Sequence, residues 1–535
     1  MAAAISKLSI LRKPKISIHP CYYPCQKLFC NPSISRLFAA ATETVDETEF
    51  VFKLSNSENH PEPGGDFKVA EWKKLSSEEL GISTSMISKP TRVVLKELKK
   101  NGYDVYLVGG CVRDLILKRI PKDFDILTSA ELREVTRTFP HCEIVGKRFP
   151  ICHVHIGGHA IEVSSFSTGR QMHNRNQSFS VAGPISCDVK DEIRWRNCMQ
   201  RDFTVNGLMF DPFARLVFDY LGGLKDIKKS ILRTINPASA SFRQDCARIL
   251  RAIRIAARLG LSVSQETAEA VQGLSPLIFR LNKGRILSEL NYMLAYGSAE
   301  ASLRLLWRFG LLELILPLQA AYFVFCGFRR CDSRSNMLLA MFANLDKLLA
   351  ADRPCHSSLW VMILAFHKAL SDQARVPSVI AAFALAVNNG GHIDEAVTIA
   401  SSISRPTEQS FCEILEPQNL EIAALRQEVL SLVASVHYAL SDMTNVKAVS
   451  NAMAKYPQAP YSDLVFIPLG LYLDVCKIFE CVENGGETGL LSKQVGKINY
   501  EMLAAGQLQE VRHIFARVVF DTLYPSRLVD DHTNV

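Results

Sequence analysis

The chain has 535 residues, of which 48% are hydrophobic, 21% charged and 9% aromatic. This is the balance of a folded chain with a sizeable core and excludes bulk disorder or a fibrous repeat. Its best apolar run, Val379 to Val387, is about half of what a membrane-spanning helix needs, so no membrane association is expected. The net charge of +7 is unevenly placed: +6 over residues 1–42, −5 over 43–90, +12 over 91–310 and −6 over 311–535. A basic block of that kind suits a polyanionic partner, although charge alone more often marks a solvated surface. The fifteen cysteines are scattered, odd in number and without a C-x-x-C pair, which speaks against a disulfide framework or a structural zinc site and for a reducing compartment.

Taken in chain order, residues 1–42 hold six Lys or Arg, spaced serines and no acid before Glu43. That pattern predicts a transit peptide and an organellar destination, with a chloroplast favoured over a mitochondrion because no Arg-rich amphipathic helix stands out. Residues 43–84 read as a linker, acidic and carrying Pro61-Glu62-Pro63-Gly64-Gly65. A helix is expected from near Pro90, with Val93, Val94, Leu95 and Leu98. Strands are expected at Tyr103 to Val108, Asp123 to Leu127, Ile151 to Ile156 and Ala160 to Phe166. These place a small mixed α/β domain at 85–235. A helical pattern takes over from Ser241, with Ile249, Ile253, Ala256 and Ala257 on one face and Arg248, Arg251, Arg254 and Arg258 between them. It gives a helical segment at 236–317 and a further one at 318–535, interrupted at Pro354, Pro377, Pro406, Pro417 and Pro468.

Five stretches carry chemistry. Tyr106-Leu-Val-Gly-Gly-Cys-Val-Arg-Asp114 runs a strand into Gly109-Gly110 and then a helix, so backbone N–H groups and a helix N-terminus can meet a phosphate, with Arg113 nearby. Alone, a Gly-Gly pair is usually only a tight turn. Lys122-Asp123-Phe124-Asp125 puts two carboxylates at i and i+2, on one face of a strand, where a magnesium ion would relieve their repulsion. Alone, the pair more often marks exposed acids on an edge strand. Glu162, between Ile161 and Val163 on a later strand, can add a third carboxylate or simply face solvent. Arg201-Asp202-Phe203-Thr204-Val205-Asn206 is the fourth stretch. In the fifth, Arg243 to Arg251, a continuous helix would set Asp245 and Arg248 side by side, as a hydrogen-bonding edge for a base or as a surface salt bridge. His153 and His155 form an H-x-H pair with no convincing further ligands, which favours packed or hydrogen-bonded histidines over a metal site.

In this order, over residues 85–317 and ending near Gly310-Leu-Leu-Glu-Leu-Ile-Leu-Pro317, the five stretches resemble the class II tRNA nucleotidyltransferases and bacterial-type poly(A) polymerases. The resemblance implies an α/β head of the nucleotidyltransferase type, a small mixed sheet with helices, followed by an all-α neck, body and tail that hold RNA. It implies that Asp123 and Asp125 bind two magnesium ions with Glu162 assisting, and that Gly109, Gly110 and Arg113 hold the triphosphate or ribose. Arg201, Asp202 and Asn206 would support the nucleotide, while Asp245 and Arg248 would read its base with Arg251 close by. The sequence departs from the pattern at Gln200, Gln244 and Lys118, where Arg, Glu and Gly are usual. The stretch Ile144 to His155, with Gly146, Lys147 and Arg148, resembles that of the poly(A) polymerases. The implied activity is therefore template-independent addition of adenylates from ATP to RNA 3′ ends, on mRNA fragments or tRNA. CCA addition to tRNA is the alternative. A silent RNA-binding module is a lesser one, disfavoured because both carboxylates are present.

Overall fold

The computed structural model describes residues 72–146, 150–167, 188–350, 353–403, 411–454, 467–484 and 497–525. The leader 1–42, the Pro/Gly part of the linker, the basic pair Lys147-Arg148 and the break at Pro406 lie outside the described residues.

The head is built on an eight-stranded sheet in the order β1-β8-β7-β2-β3-β6-β5-β4. In chain order these are β1 (Lys73–Ser76), β2 (Val105–Val108), β3 (Asp125–Thr128), β4 (Cys142–Val145), β5 (Ile151–Ile156), β6 (His159–Ser165), β7 (Leu208–Asp211) and β8 (Leu216–Asp219). All neighbours are antiparallel except β3 and β6. Strand β1 falls within the stretch expected as a linker; it pairs with β8, so the sheet begins earlier than the composition suggests. Alternation along the strands serves two cores. Val105, Leu107, Ile126 and Val163 face one, together with Val94, Leu95 and Leu98 of α1 (Lys89–Lys100) and Val112 and Leu115 of α2 (Gly110–Ile116). Tyr106, Val108, Leu127 and Phe218 face the other, beneath α4 (Val189–Met199); α3 (Leu132–Thr138) lies between β3 and β4 in the chain. Helix α1 starts as its residues demand: the Ser88 hydroxyl accepts from the Thr91 N–H at 3.3 Å, and Pro90 occupies the first turn, where no N–H is required.

After α5 (Gly223–Lys228) and strand β9 (Ile231–Leu232) come α6 (Ala238–Gln244), α7 (Ala247–Leu259) and β10 (Ser262–Val263), which pairs in parallel with β9. Helix α7 has two apolar faces. Ile249, Leu250 and Ile253 enter the core of the helical region, whereas Ala252, Ile255 and Ala256 enter the head core. One helix is thus buried in both, and its arginines are left for the remaining side. The helical core is continuous from Ala238 to Leu523, so no core boundary falls at 317–318. It includes α8 (Gln265–Leu274), α9 (Lys283–Leu294) and α10 (Ala299–Arg308), followed by longer helices such as Ser357–Asp372 and Ile422–Thr444. No helix among the described residues is long and apolar enough to cross a membrane.

Candidate active site

Strand pairing assembles the site. In the β2–β3 ladder Val108 stands opposite Asp125, so the turn that follows Val108 is set beside that carboxylate. Gly109 takes φ +79° and ψ −137°, a conformation that side chains with a Cβ resist. Space requires glycine as well: a Cβ there would lie 2.7 Å from Arg201 Nη1 and 3.6 Å from Asp125 Oδ2. Helix α2 starts at Gly110, directing its N-terminal N–H groups out of the same turn. On the other side, β6 runs parallel to β3 with Ile126 opposite Val163, which brings Glu162 onto the face that carries Asp125.

Burial, and then the negative charge of Glu162, push the Asp125 carboxyl up to about 6; Asp123 adds to the rise, while Arg201 and Arg251 oppose it. A half-buried acid that feels two other carboxylates is one whose ionised form a cation would favour. Among the described residues, however, no three His, Cys, Asp or Glu side chains are arranged to hold a metal ion by themselves. Glu162 is exposed and lies 3.9 Å from His153 Nε2, across the β5–β6 pair. Asp125 with Asp123 therefore fits a cation that takes most of its ligands from water and phosphate, as magnesium does, better than a closed protein cage. Asp123 does not lie on the strand, which begins only at Asp125; it sits two residues earlier, exposed, on the connection from α2. The expected sharing of one strand face thus gives way to a loop carboxylate beside a strand carboxylate.

Arg201 follows the end of α4 and has a buried Nε without a hydrogen-bond partner among the described residues. An arginine so placed, above a glycine turn and beside a carboxylate, is ready to accept an anion. The neighbouring polar groups are by contrast already satisfied. Arg113 donates to Asp114 through Nε at 2.8 Å and Nη2 at 2.7 Å, and through Nη1 to Asn206 Oδ1. Asn206 Nδ2 donates at 3.0 Å to Asp202 Oδ1, which also accepts from the Phe203 N–H at 2.8 Å, and Asp202 Oδ2 pairs with Arg251. Burial alone would raise the Asp202 carboxyl, but Arg251, Asn206, the Phe203 N–H and Arg248 outweigh it and hold it below the usual range. This chain of contacts joins the glycine turn to α7 through the buried Arg113, Asn206 and Asp202, ending on the partly exposed Arg251.

Asp245 and Arg248 are not helix neighbours. The chain breaks between α6 and α7, and Asp245 lies in the break with φ −145° and ψ 99°. Its carboxylate accepts from the Ala247 N–H at 3.1 Å and so caps α7. Arg248 turns back, donating through Nη1 to Ser241 Oγ at 2.8 Å and Gln244 Oε1 at 3.5 Å, and through Nη2 to the Gln200 carbonyl at 3.2 Å. Two of the three residues that depart from the family pattern, Gln200 and Gln244, therefore engage Arg248. Lys118, the third departure, takes φ +58° and reaches the carbonyls of Leu80 and Gly81. His153 and His155 face Glu162 and Glu143 on neighbouring strands.

Sequence reasoning passed over the groups that hold the Asp123 loop. The Lys122 ammonium donates to Tyr296 Oη at 3.0 Å and lies 4.9 Å and 4.8 Å from the ring centres of Tyr292 and Tyr296. Arg119 Nη1 donates at 3.0 Å to the Arg258 carbonyl at the end of α7. The signal was adjacency alone: Lys122 precedes Asp123, but its aromatic partners are 170 residues or more away in the chain.

Two regions of the chain match known protein families. The model of the poly A polymerase head domain matches residues 105–233, and that of a probable RNA- and SrmB-binding site of polymerase A matches 260–323. Poly(A) polymerase I of Escherichia coli O6:H1 is 35% identical over 252 residues, 46% of this chain and 54% of that protein. The Salmonella typhimurium poly(A) polymerase I is 31% identical over 332 residues, 60% of this chain and 70% of that protein. The CCA-adding enzyme of Geobacillus thermodenitrificans is 34% identical over 220 residues, 41% and 52% of the two chains. The match thus spans about half the length of the Escherichia coli and Geobacillus proteins. With the glycine turn, the paired carboxylates and the arginine-bearing helix in one site, the chain belongs to the family of class II tRNA nucleotidyltransferases and bacterial-type poly(A) polymerases.

Proposed function

We propose that this chain transfers adenylate from ATP to the 3′ ends of RNA without a template, with release of pyrophosphate. The observation that carries the reading is the pairing of Val108 with Asp125, which sets a glycine turn and Arg201, whose buried Nε has no hydrogen-bond partner among the described residues, against a carboxylate that also feels Asp123 and Glu162. That arrangement suits a triphosphate whose α-phosphate is attacked by an RNA 3′-hydroxyl. Asp123 and Asp125 are the residues that would hold magnesium, which when bound would neutralise phosphate charge and acidify the 3′-hydroxyl. Arg201 and the N–H groups at the start of α2 bind and orient the phosphates. Asp202, bonded to Asn206 and paired with Arg251, supports the nucleotide by holding those two side chains in place. Arg248, held at the α6–α7 break, supplies the donors that select the base.

Adenylate tails are preferred over CCA addition because of the resemblance at residues 144–155 and the similarity to the two poly(A) polymerases. CCA addition is the second reading, favoured by the 34% identity to a CCA-adding enzyme. The test supplies ATP alone to an RNA without a tRNA fold, then CTP and ATP to a tRNA lacking its 3′ end. Long tails in the first reaction support adenylation. Addition that stops after C, C and A, with no tail in the first, establishes the second reading, and no incorporation in either refutes both.

A further inference from the structure

We propose that Lys122 is a positioning residue: held against Tyr292 and Tyr296 of the helical region, its ammonium fixes the loop that presents Asp123. The proposal rests on the reading of Asp123 as a metal-binding carboxylate. Strand β3 begins at Asp125, so no ladder hydrogen bond orients Asp123. Its position depends on what anchors the connection between α2 and β3. That connection is held from three sides: by Lys118 on the Leu80 and Gly81 carbonyls, by Arg119 on the Arg258 carbonyl, and by Lys122 on the two tyrosines. Two of these anchors come from the helical region.

The Lys122 anchor is the nearest to Asp123 and the most built. Tyr292 and Tyr296 lie with ring centres 5.5 Å apart, and both offer their π-systems to the ammonium while the Tyr296 hydroxyl accepts from it. Tyr292 is in turn held by the Arg254 guanidinium, 4.8 Å from its ring centre, and Arg254 is fixed by the buried Glu289 at 3.0 Å. A continuous set of side chains thus runs from α7 and α9 to the residue preceding Asp123. A lysine serving only as surface charge would need none of these partners.

The full chain is compared with Lys122→Met, Lys122→Arg and Tyr292→Leu. Amide exchange over residues 117–126 is measured without nucleotide, and kcat, the KM for ATP and the half-saturating magnesium concentration are measured with an RNA primer. In Lys122→Met the loop amides exchange faster, kcat falls about tenfold or more, the magnesium requirement rises several-fold, and the KM for ATP moves less than about twofold. Lys122→Arg restores both exchange and kcat, because a guanidinium can occupy the same aromatic surface. Unaltered exchange and kcat in Lys122→Met, or an arginine variant as impaired as the methionine one, overturns the proposal. Should Lys122→Met not fold, Tyr292→Leu, at a partly exposed ring, makes the same comparison, and wild-type exchange and kcat there overturn it equally. A wild-type chain that incorporates no nucleotide refutes the functional reading instead, and the exchange measurement is independent of that outcome.

Discussion

Replacing Gly109 by alanine tests the geometry of the site most directly, because two separable effects follow from one methyl group. The backbone at φ +79° and ψ −137° lies where only glycine is at ease, and holding alanine there costs roughly 1–3 kcal/mol of stability. The added Cβ would also stand 2.7 Å from Arg201 Nη1, whereas unstrained contacts lie near 3.5 Å or beyond, so the guanidinium must retreat by about 1 Å. A misplacement of that size in a positioned catalytic group reduces rate on the order of a hundredfold, or about 2.7 kcal/mol. The expected result is a modest loss in thermal or denaturant stability together with about a hundredfold loss in kcat/KM for ATP, read by primer extension. Because the activity loss acts through Arg201, the Gly109→Ala/Arg201→Ala double variant should be little slower than Arg201→Ala alone. Losses that multiply in the double variant, or an alanine variant of normal turnover, would show that the glycine turn does not work through this arginine.

Three further outcomes are expected. Asp123→Ala or Asp125→Ala should lower nucleotide addition about a thousandfold, some 4 kcal/mol of transition-state stabilisation, while the far-ultraviolet circular dichroism stays native; near-normal turnover in either removes that residue from the metal site. Arg248→Ala, and Asp245→Ala through loss of the α7 cap, should weaken the preference for ATP over other nucleotides more than they slow transfer, and variants of unchanged preference would place base selection elsewhere. For Asp191, burial would raise the carboxyl, but Arg194, Lys74 and Tyr220 outweigh it and bring it down to about 2. A depressed acid contributes stability that is complete above about pH 4 and is lost as the pH falls toward 2, here on the order of 2 kcal/mol. Wild type and Asp191→Asn should therefore differ most near pH 7 and converge by about 1 kcal/mol at pH 3, as followed by denaturant unfolding; a gap that does not narrow contradicts the assignment.

Much of the head was legible because its signals are local. The alternation of Ile151 to Ile156 is reproduced as β5 with the same limits, and the strand expected up to Val108 ends there in β2. Helix α1 spans the Pro90 pattern, capped by Ser88. Strands β1, β4, β7 and β8 were missed, because a four-residue strand shows little period of its own unless its run is markedly apolar or alternating, as in β2 and β3, and ladder pairing supplies what propensity does not. The α7 helix was foreseen, but the break before it was not. Nothing in Arg243 to Arg251 forbids a continuous helix, and the break becomes favourable once Asp245 caps α7 and Arg248 finds Ser241 and the Gln200 carbonyl.

By itself, then, the sequence determined which residue types could carry the chemistry and the order in which they come, since glycines, paired acids and arginines keep their chemical nature wherever they are placed. It also determined the strand and helix character around them through periods of two and 3.6 residues. Only the tertiary structure decided which of these groups meet. The Val108–Asp125 pairing, the approach of Arg201 to Gly109, the path from Arg113 through Asn206 and Asp202 to Arg251, and the hold of Tyr292 and Tyr296 on Lys122 all join elements that no local period brings together. Such contacts depend on ladder register and on helix α7 packing into two cores at once, and neither leaves a trace in the local pattern.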